Sequence, residues 1–213
     1  MDEVARLNWL VPLLAFLLAA VFGAVAQRFN FCTMGAVSDV VNFGDWRRMR
    51  MWLLAIALAI VGTTLLAMSG LIDVSKAIYT TAKVPWLSHL VGGLLFGFGM
   101  TLGSGCGSKT LIRVGGGNLK SLVVMVFLGI AAYMTLRGAF APLRAFGLDP
   151  VLIDLGRTGA ATSDLGALVG SLGLGAAAKR WLPFLIALAI GIFVFANRDF
   201  RNAREMIFTG VVI

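Results

Sequence analysis

Two thiols, Cys32 and Cys106, are the only cysteines in the chain, and each sits in a break behind a long apolar stretch. The first lies in Arg28-Phe29-Asn30-Phe31-Cys32-Thr33-Met34-Gly35, the second in Gly103-Ser104-Gly105-Cys106-Gly107-Ser108-Lys109. They are 74 residues apart. Asn30 and Thr33 surround Cys32, whereas Ser104 and Ser108 surround Cys106, with Lys109 and Arg113 close behind. A short helix starting near each cysteine would aim its first amides at the same place, a ready site for an anion. Asp39 is the one carboxylate near either motif. Thiols, small donors and cations without carboxylates point to a negatively charged or sulfur-containing ligand rather than a metal cation. The expected substrate-binding residues are Cys32, Cys106, Ser104, Gly105, Gly107, Ser108, Lys109 and Arg113. A single buried cysteine is most often just a small hydrophobe, but two at matched positions in broken apolar segments ask for more.

Other chemistries fit poorly. Gly103 to Thr110 almost follows the phosphate-loop pattern Gly-x4-Gly-Lys-Ser/Thr, but Ser108 stands at the second glycine and no strand precedes it. The chain has no Cys-x-x-Cys, zinc spacing or haem-attachment pattern. His89 is the only histidine, and one histidine makes no metal site; inside its apolar helix it reads as a hydrogen-bonded core or interface residue. No catalytic residue, metal or cofactor is expected, and the chain is not read as an enzyme.

The elements that must position these residues are membrane helices. A mean hydropathy of +0.92 with 13% charged residues lies far from a soluble domain, which carries about a quarter charged residues. Trp9–Gln27 and Met51–Ser69 are uncharged throughout, each long enough to cross a hydrocarbon layer of roughly 30 Å. Val84–Gly103, Ser121–Leu136 and Trp181–Asn197 read as further spans, and Leu165–Ala178 as a short or broken one. The first stretch does not read as a cleaved signal peptide, because its flank is acidic (Asp2, Glu3) and it outruns an h-region. The net charge of +8 does not argue for nucleic acid, since the basic residues lie in short loops between spans. Arg47, Arg48 and Arg50, then Lys109, Arg113 and Lys120, put those loops in the cytoplasm and the N-terminus outside; topology beyond residue 120 stays open.

An internal repeat organises these elements into one membrane domain, 1–213. Gly44-Asp45-Trp46-Arg47 follows the first cysteine motif and Gly117-Asn118-Leu119-Lys120 the second, at nearly the same separation as the cysteines, and each precedes a new apolar helix. One unit runs over about residues 8–70 and the next over about 84–137, with Leu71–Lys83 a surface loop or interfacial helix between them. Arg137–Thr162 reads as an extramembrane or interfacial connection, and helices over about 163–213 end the chain, apparently truncated or split at Ile213. The motif stretches are too apolar for water and too short to span. Gly103, Gly105, Gly107, Gly115, Gly116 and Gly117 permit the backbone turns of a re-entrant half-helix, tolerated at membrane depth only inside protein or beside a polar cavity. The expected fold is thus all-α and polytopic, with two repeated units each holding a re-entrant cysteine-bearing half-helix. Paired interruptions of this kind point to a transporter binding site. Gly93/Gly97 and Gly166/Gly170 have the spacing of close helix contacts.

Ser104-Gly105-Cys106-Gly107-Ser108-Lys109-Thr110-Leu111-Ile112-Arg113-Val114-Gly115-Gly116-Gly117-Asn118-Leu119-Lys120-Ser121-Leu122-Val123 closely resembles the YeeE/YedE family of bacterial inner-membrane proteins, and Arg28 to Ala36 matches its earlier cysteine motif. The resemblance implies uptake of a sulfur compound, thiosulfate in the best-understood members and selenium-linked in others. It also implies that cysteines hand the anion inward by S–H hydrogen bonds, toward a cytoplasmic carrier of the TusA type. Carried to this sequence, those cysteines are Cys32 and Cys106. Full-length relatives so resembled are longer, with a further cysteine motif in a C-terminal half; its absence here implies a second membrane chain, a homo-oligomer or a continuation. Two other functions are compatible with the residues. One is a membrane thiol/disulfide redox protein, which needs the two Cα atoms within about 7 Å and has no visible quinone or flavin site. The other is a membrane scaffold that docks a soluble sulfurtransferase through basic loops.

Overall fold

A computed structural model describes residues 2–74, 77, 80–155 and 175–213. The chain is helical and begins with α1 (Asp2–Arg28), α2 (Thr33–Phe43) and α3 (Arg47–Met68). After β1 (Lys83–Val84) come α4 (Trp86–Leu102), α5 (Gly107–Gly115) and α6 (Leu119–Leu136). Then follow α7 (Ala141–Leu143), a π-helical turn (Arg144–Leu148), β2 (Ile153–Asp154), α8 (Gly175–Phe195), α9 (Arg198–Asn202) and α10 (Arg204–Val212). Four helical stretches, Arg6–Phe43, Arg47–Met68, Trp86–Gly115 and Leu119–Leu136, are long and apolar enough to cross a membrane. The fifth expected span is covered by α8, whose apolar part, Trp181–Phe195, is shorter than those four. Residues 165–174 of the expected short span, and with them the Gly166/Gly170 pair, lie outside the described residues.

Each break between helices has a local cause. Gly44, at φ 66°, ends α2, with Gly44 N–H donating to the Val40 carbonyl and Asp45 N–H to the Asp39 carbonyl. Only a left-handed residue lets these last carbonyls be satisfied, so glycine fits there at no steric cost. Asp45 then receives the N–H of Arg47 on Oδ1 at 2.9 Å and grips the Arg47 guanidinium at 2.7 Å, fixing the start of α3. Gly117, at φ 83°, ends α5 in a comparable turn, and the Asn118 side chain caps α6 by accepting the N–H of Ser121.

The core gathers where α3 meets the C-terminal helices. Met51, Leu54, Val194 and Phe200 are buried together, with Phe31, Leu53, Ile190, Met206 and Ile207 packed around them. Gly210 of α10 presses on α3, where an added Cβ would stand 2.9 Å from the Met51 carbonyl oxygen. Arg50 donates to the carbonyls of Phe193 and Val194 and lies 4.5 Å over the Phe193 ring, tying α3 to the end of α8. Phe31, one residue before Cys32, therefore anchors the first cysteine loop to this core.

Two expectations change, and a third region gains detail. The 137–155 part of the connection holds α7, the π-helical turn and β2, which pairs antiparallel with β1 through Lys83–Asp154 and Val84–Ile153. A two-residue ladder is too short for any period in these residues to announce it. Gly93 and Gly97 have nothing within 4 Å of a built Cβ, so their spacing does not mark a close helix contact among the described residues. His89 is exposed rather than core; its ring nitrogen meets the carbonyl of Pro85, the N-cap of α4, at 2.8 Å.

Candidate functional site

The two cysteines meet. Cys32 Sγ and Cys106 Sγ are 3.6 Å apart, both buried and both free thiols, and either can donate to the other. Each occupies the N-cap position of a short helix in extended backbone geometry, Cys32 before α2 and Cys106 before α5. The first-turn amides of both helices therefore start at the thiol pair, and these are the amides that a helix leaves without intrahelical partners.

The loops leading to the cysteines are built by matching hydrogen bonds. At the end of α1, Phe31 N–H donates to the Ala26 carbonyl at 3.0 Å; at the end of α4, Gly105 N–H donates to the Met100 carbonyl at 3.1 Å. Asn30 (φ 52°) and Ser104 (φ 56°) hold the left-handed position in these two turns, the only non-glycine residues with positive φ among those described. Each is two residues before its cysteine. Beyond the cysteines, Ala36 N–H returns to the Cys32 carbonyl at 2.9 Å and Thr110 N–H to the Cys106 carbonyl at 3.0 Å. The buried Thr110 hydroxyl adds a second donor to that same Cys106 carbonyl, at 3.1 Å.

The cations expected near Cys106 hold the loops together. Lys109 Nζ donates to Asn30 Oδ1 at 2.5 Å, crossing from the second loop to the first. Arg113 Nη1 donates to the Ser104 carbonyl at 3.0 Å, closing the second loop on itself. Among the described residues neither is within ion-pair distance of a carboxylate, so neither positive charge is offset by an ion pair there. Gly105 packs on the same side chain, its Cβ position lying in ordinary contact at 3.5 Å from the Lys109 stem. Gly107 and Ser108 are the first two residues of α5, so their amides belong to the unpaired first turn; the Ser108 and Ser104 residues are exposed. Asp39 does not face the thiols as a bare charge, because Arg48 Nε pairs with it at 3.3 Å.

Two contributors escape a sequence reading. Asn30 is recognisable as a polar neighbour of Cys32, but its bond to Lys109 joins residues far apart in the chain and leaves no local signature. Arg48 looks like an ordinary loop cation; in the fold its Nη1 lies over Gly35, 2.5 Å from where a Cβ would be. Nothing in its neighbours signals that approach. Among the described residues no cluster of three metal-ligating side chains occurs.

Comparison with known proteins adds an independent finding. The family described as Sulphur transport matches residues 28–207, from the first cysteine loop into α10. A thiosulfate transporter TsuA from Spirochaeta thermophila is 32% identical over 133 residues, covering 62% of this chain and 38% of the relative. A thiosulfate transporter TsuA from Escherichia coli is 31% identical over 133 residues, covering 62% of this chain and 35% of the relative. The matched stretch thus spans well under half the length of either relative.

Proposed function

The chain belongs to the Sulphur transport family, and from that premise we propose that it carries a sulfur-containing anion, thiosulfate by preference, across the bacterial inner membrane. Cys32 and Cys106 are the donors on its path, and the observation that carries the reading is their meeting at 3.6 Å between two short-helix N-termini. The names of the two TsuA relatives support thiosulfate as the substrate.

Physical chemistry gives each group a task. Lys109 and Arg113 supply a positive potential that draws an anion toward the loops, while the first-turn amides of α2 and α5, including those of Gly107 and Ser108, receive it. Ser104 and Gly105 shape the turn that sets Cys106 at its helix start. Each thiol has the other as its hydrogen-bond partner, so neither is orphaned. An arriving anion exchanges that weak S–H contact for another weak one. Affinity stays low enough for release, which conduction requires.

On the same reading, the matched turns at Asn30 and Ser104 mark two copies of one unit, about 8–70 and 84–137, in which α2 and α5 are re-entrant half-helices at membrane depth. The basic turns at Arg47 and Lys120 face the cytoplasm, where a TusA-like carrier would accept the sulfur. Growth on thiosulfate as sole sulfur source, in a host lacking its own thiosulfate uptake, tests the proposal. Growth that depends on the chain, expressed alone or with the further membrane chain or continuation its relatives imply, should be abolished by both Cys32→Ala and Cys106→Ala; full growth with both variants would overturn the relay.

A further inference from the structure

A thiol pair this close can do more than pass an anion. Cys32 and Cys106 are buried, free and 3.6 Å apart, and Lys109 and Arg113, which bond the two cysteine loops, have no carboxylate ion-pair partner among the described residues. A disulfide needs the sulfurs at roughly 2 Å, a short approach for two residues that both sit in extended N-cap backbone rather than inside a helix. What the pair lacks is an oxidant, and its surroundings select one: a small anion that contains a sulfur–sulfur bond.

We infer that Cys32 and Cys106 react as a vicinal dithiol with polythionates, sulfur anions linked through an S–S bond, reducing tetrathionate to thiosulfate and closing the path with a disulfide. The inference rests on the path proposed above, because only an anion admitted to that path reaches buried thiols. The chemistry balances. One cysteine, as thiolate, attacks a central divalent sulfur of tetrathionate; the central S–S bond breaks, thiosulfate leaves, and the cysteine carries an –S–SO3⁻ group. The second cysteine, as thiolate, attacks the first cysteine's sulfur; that new S–S bond breaks, a second thiosulfate leaves, and the Cys32–Cys106 disulfide forms. Two thiols lose two protons and two electrons, and one tetrathionate takes up the two electrons to become two thiosulfates. Thiol–disulfide exchange follows this same two-step course through a mixed intermediate.

The consequence is a transporter that shuts when its anion supply is oxidised. Once joined, the sulfurs have no S–H left to offer, and the loops cannot part for a passing anion. A dithiol reductant restores both.

The test uses the full chain in proteoliposomes with sodium tetrathionate as the probe. The expected result is loss of both free thiols together, two thiosulfates released per tetrathionate consumed, and a Cys32–Cys106 linked peptide by mass spectrometry that dithiothreitol reverses. Cys106→Ser should release one thiosulfate and retain the –S–SO3⁻ adduct on the Cys32 sulfur. Both thiols still alkylatable after treatment, or separate adducts on each cysteine without a link, would overturn the inference. Stoichiometry and linkage are read on the protein without any flux measurement. Linkage in a chain that moves no thiosulfate would therefore sink the proposed uptake alone, and intact thiosulfate flux with unreactive thiols would sink the dithiol chemistry alone.

Discussion

Asn30 and Ser104 hold left-handed backbone that costs an L-residue with a Cβ about 1–2 kcal/mol, and they do so two residues ahead of the thiols they position. Such strain persists where the surroundings fix it: Lys109 holds the Asn30 side chain and Arg113 the Ser104 carbonyl. Ser104→Gly should leave stability within about 1 kcal/mol of the parent, since relief of φ is offset by extra freedom in the unfolded chain. Ser104→Val, with a branched Cβ at φ 56°, should lose about 1–2 kcal/mol. Thermal unfolding of the purified chain in detergent checks both, and equal stability of the two variants would contradict the assigned backbone. At this scale the cysteines were legible because their separation and flanking breaks repeat along the chain. The Asn30–Lys109 bond was not, because a hydrogen bond between distant loops depends on how the helices pack.

The elements are sharper at their ends than in their middles. Asp45 shows why: the Arg47 guanidinium bonded to it holds its carboxyl below the usual carboxylate range. A carboxyl with a depressed folded value contributes stability above its unfolded pKa and loses it as pH falls through the folded value. The unfolding-temperature gap between the parent and Asp45→Asn should therefore be small, because the pair is solvent-screened, and should close as the medium is acidified. A gap that widens on acidification would contradict this pairing. α10 sets a second test. Gly210→Ala places a methyl 2.9 Å from the Met51 carbonyl and 3.0 Å from Leu54 Cδ2, and backbone cannot step aside cheaply. A loss of about 1–3 kcal/mol is expected, read by the same thermal unfolding; an unchanged midpoint would mean that α10 does not press on α3. The helix starts at Arg47 and Leu119 could be read from the Gly-polar-basic clusters before them. β1, β2 and the π-helical turn could not, being too short to impose a period on their residues.

At the scale of the molecule, the buried residues among those described concentrate around α3, α8 and α10, while α1, α4 and α6 present large apolar side chains outward, among them Trp9, Phe16, Leu94, Phe96 and Phe127. In water that surface would be untenable; in a bilayer it faces a solvent as apolar as itself. This is why hydropathy alone located the long helices, whereas small-residue spacing misled over Gly93 and Gly97. In a chain apolar on every side, small-residue spacing does not say which face has a neighbour. Labelled thiosulfate uptake into proteoliposomes tests most directly whether the two thiols act as one unit on one path. Parent, Cys32→Ala, Cys106→Ala and the double variant should be compared at equal protein content. If the pair is a single gate, each single variant falls as far as the double one, since residues that act together are not additive. Uptake in either single variant equal to that of the parent would contradict it.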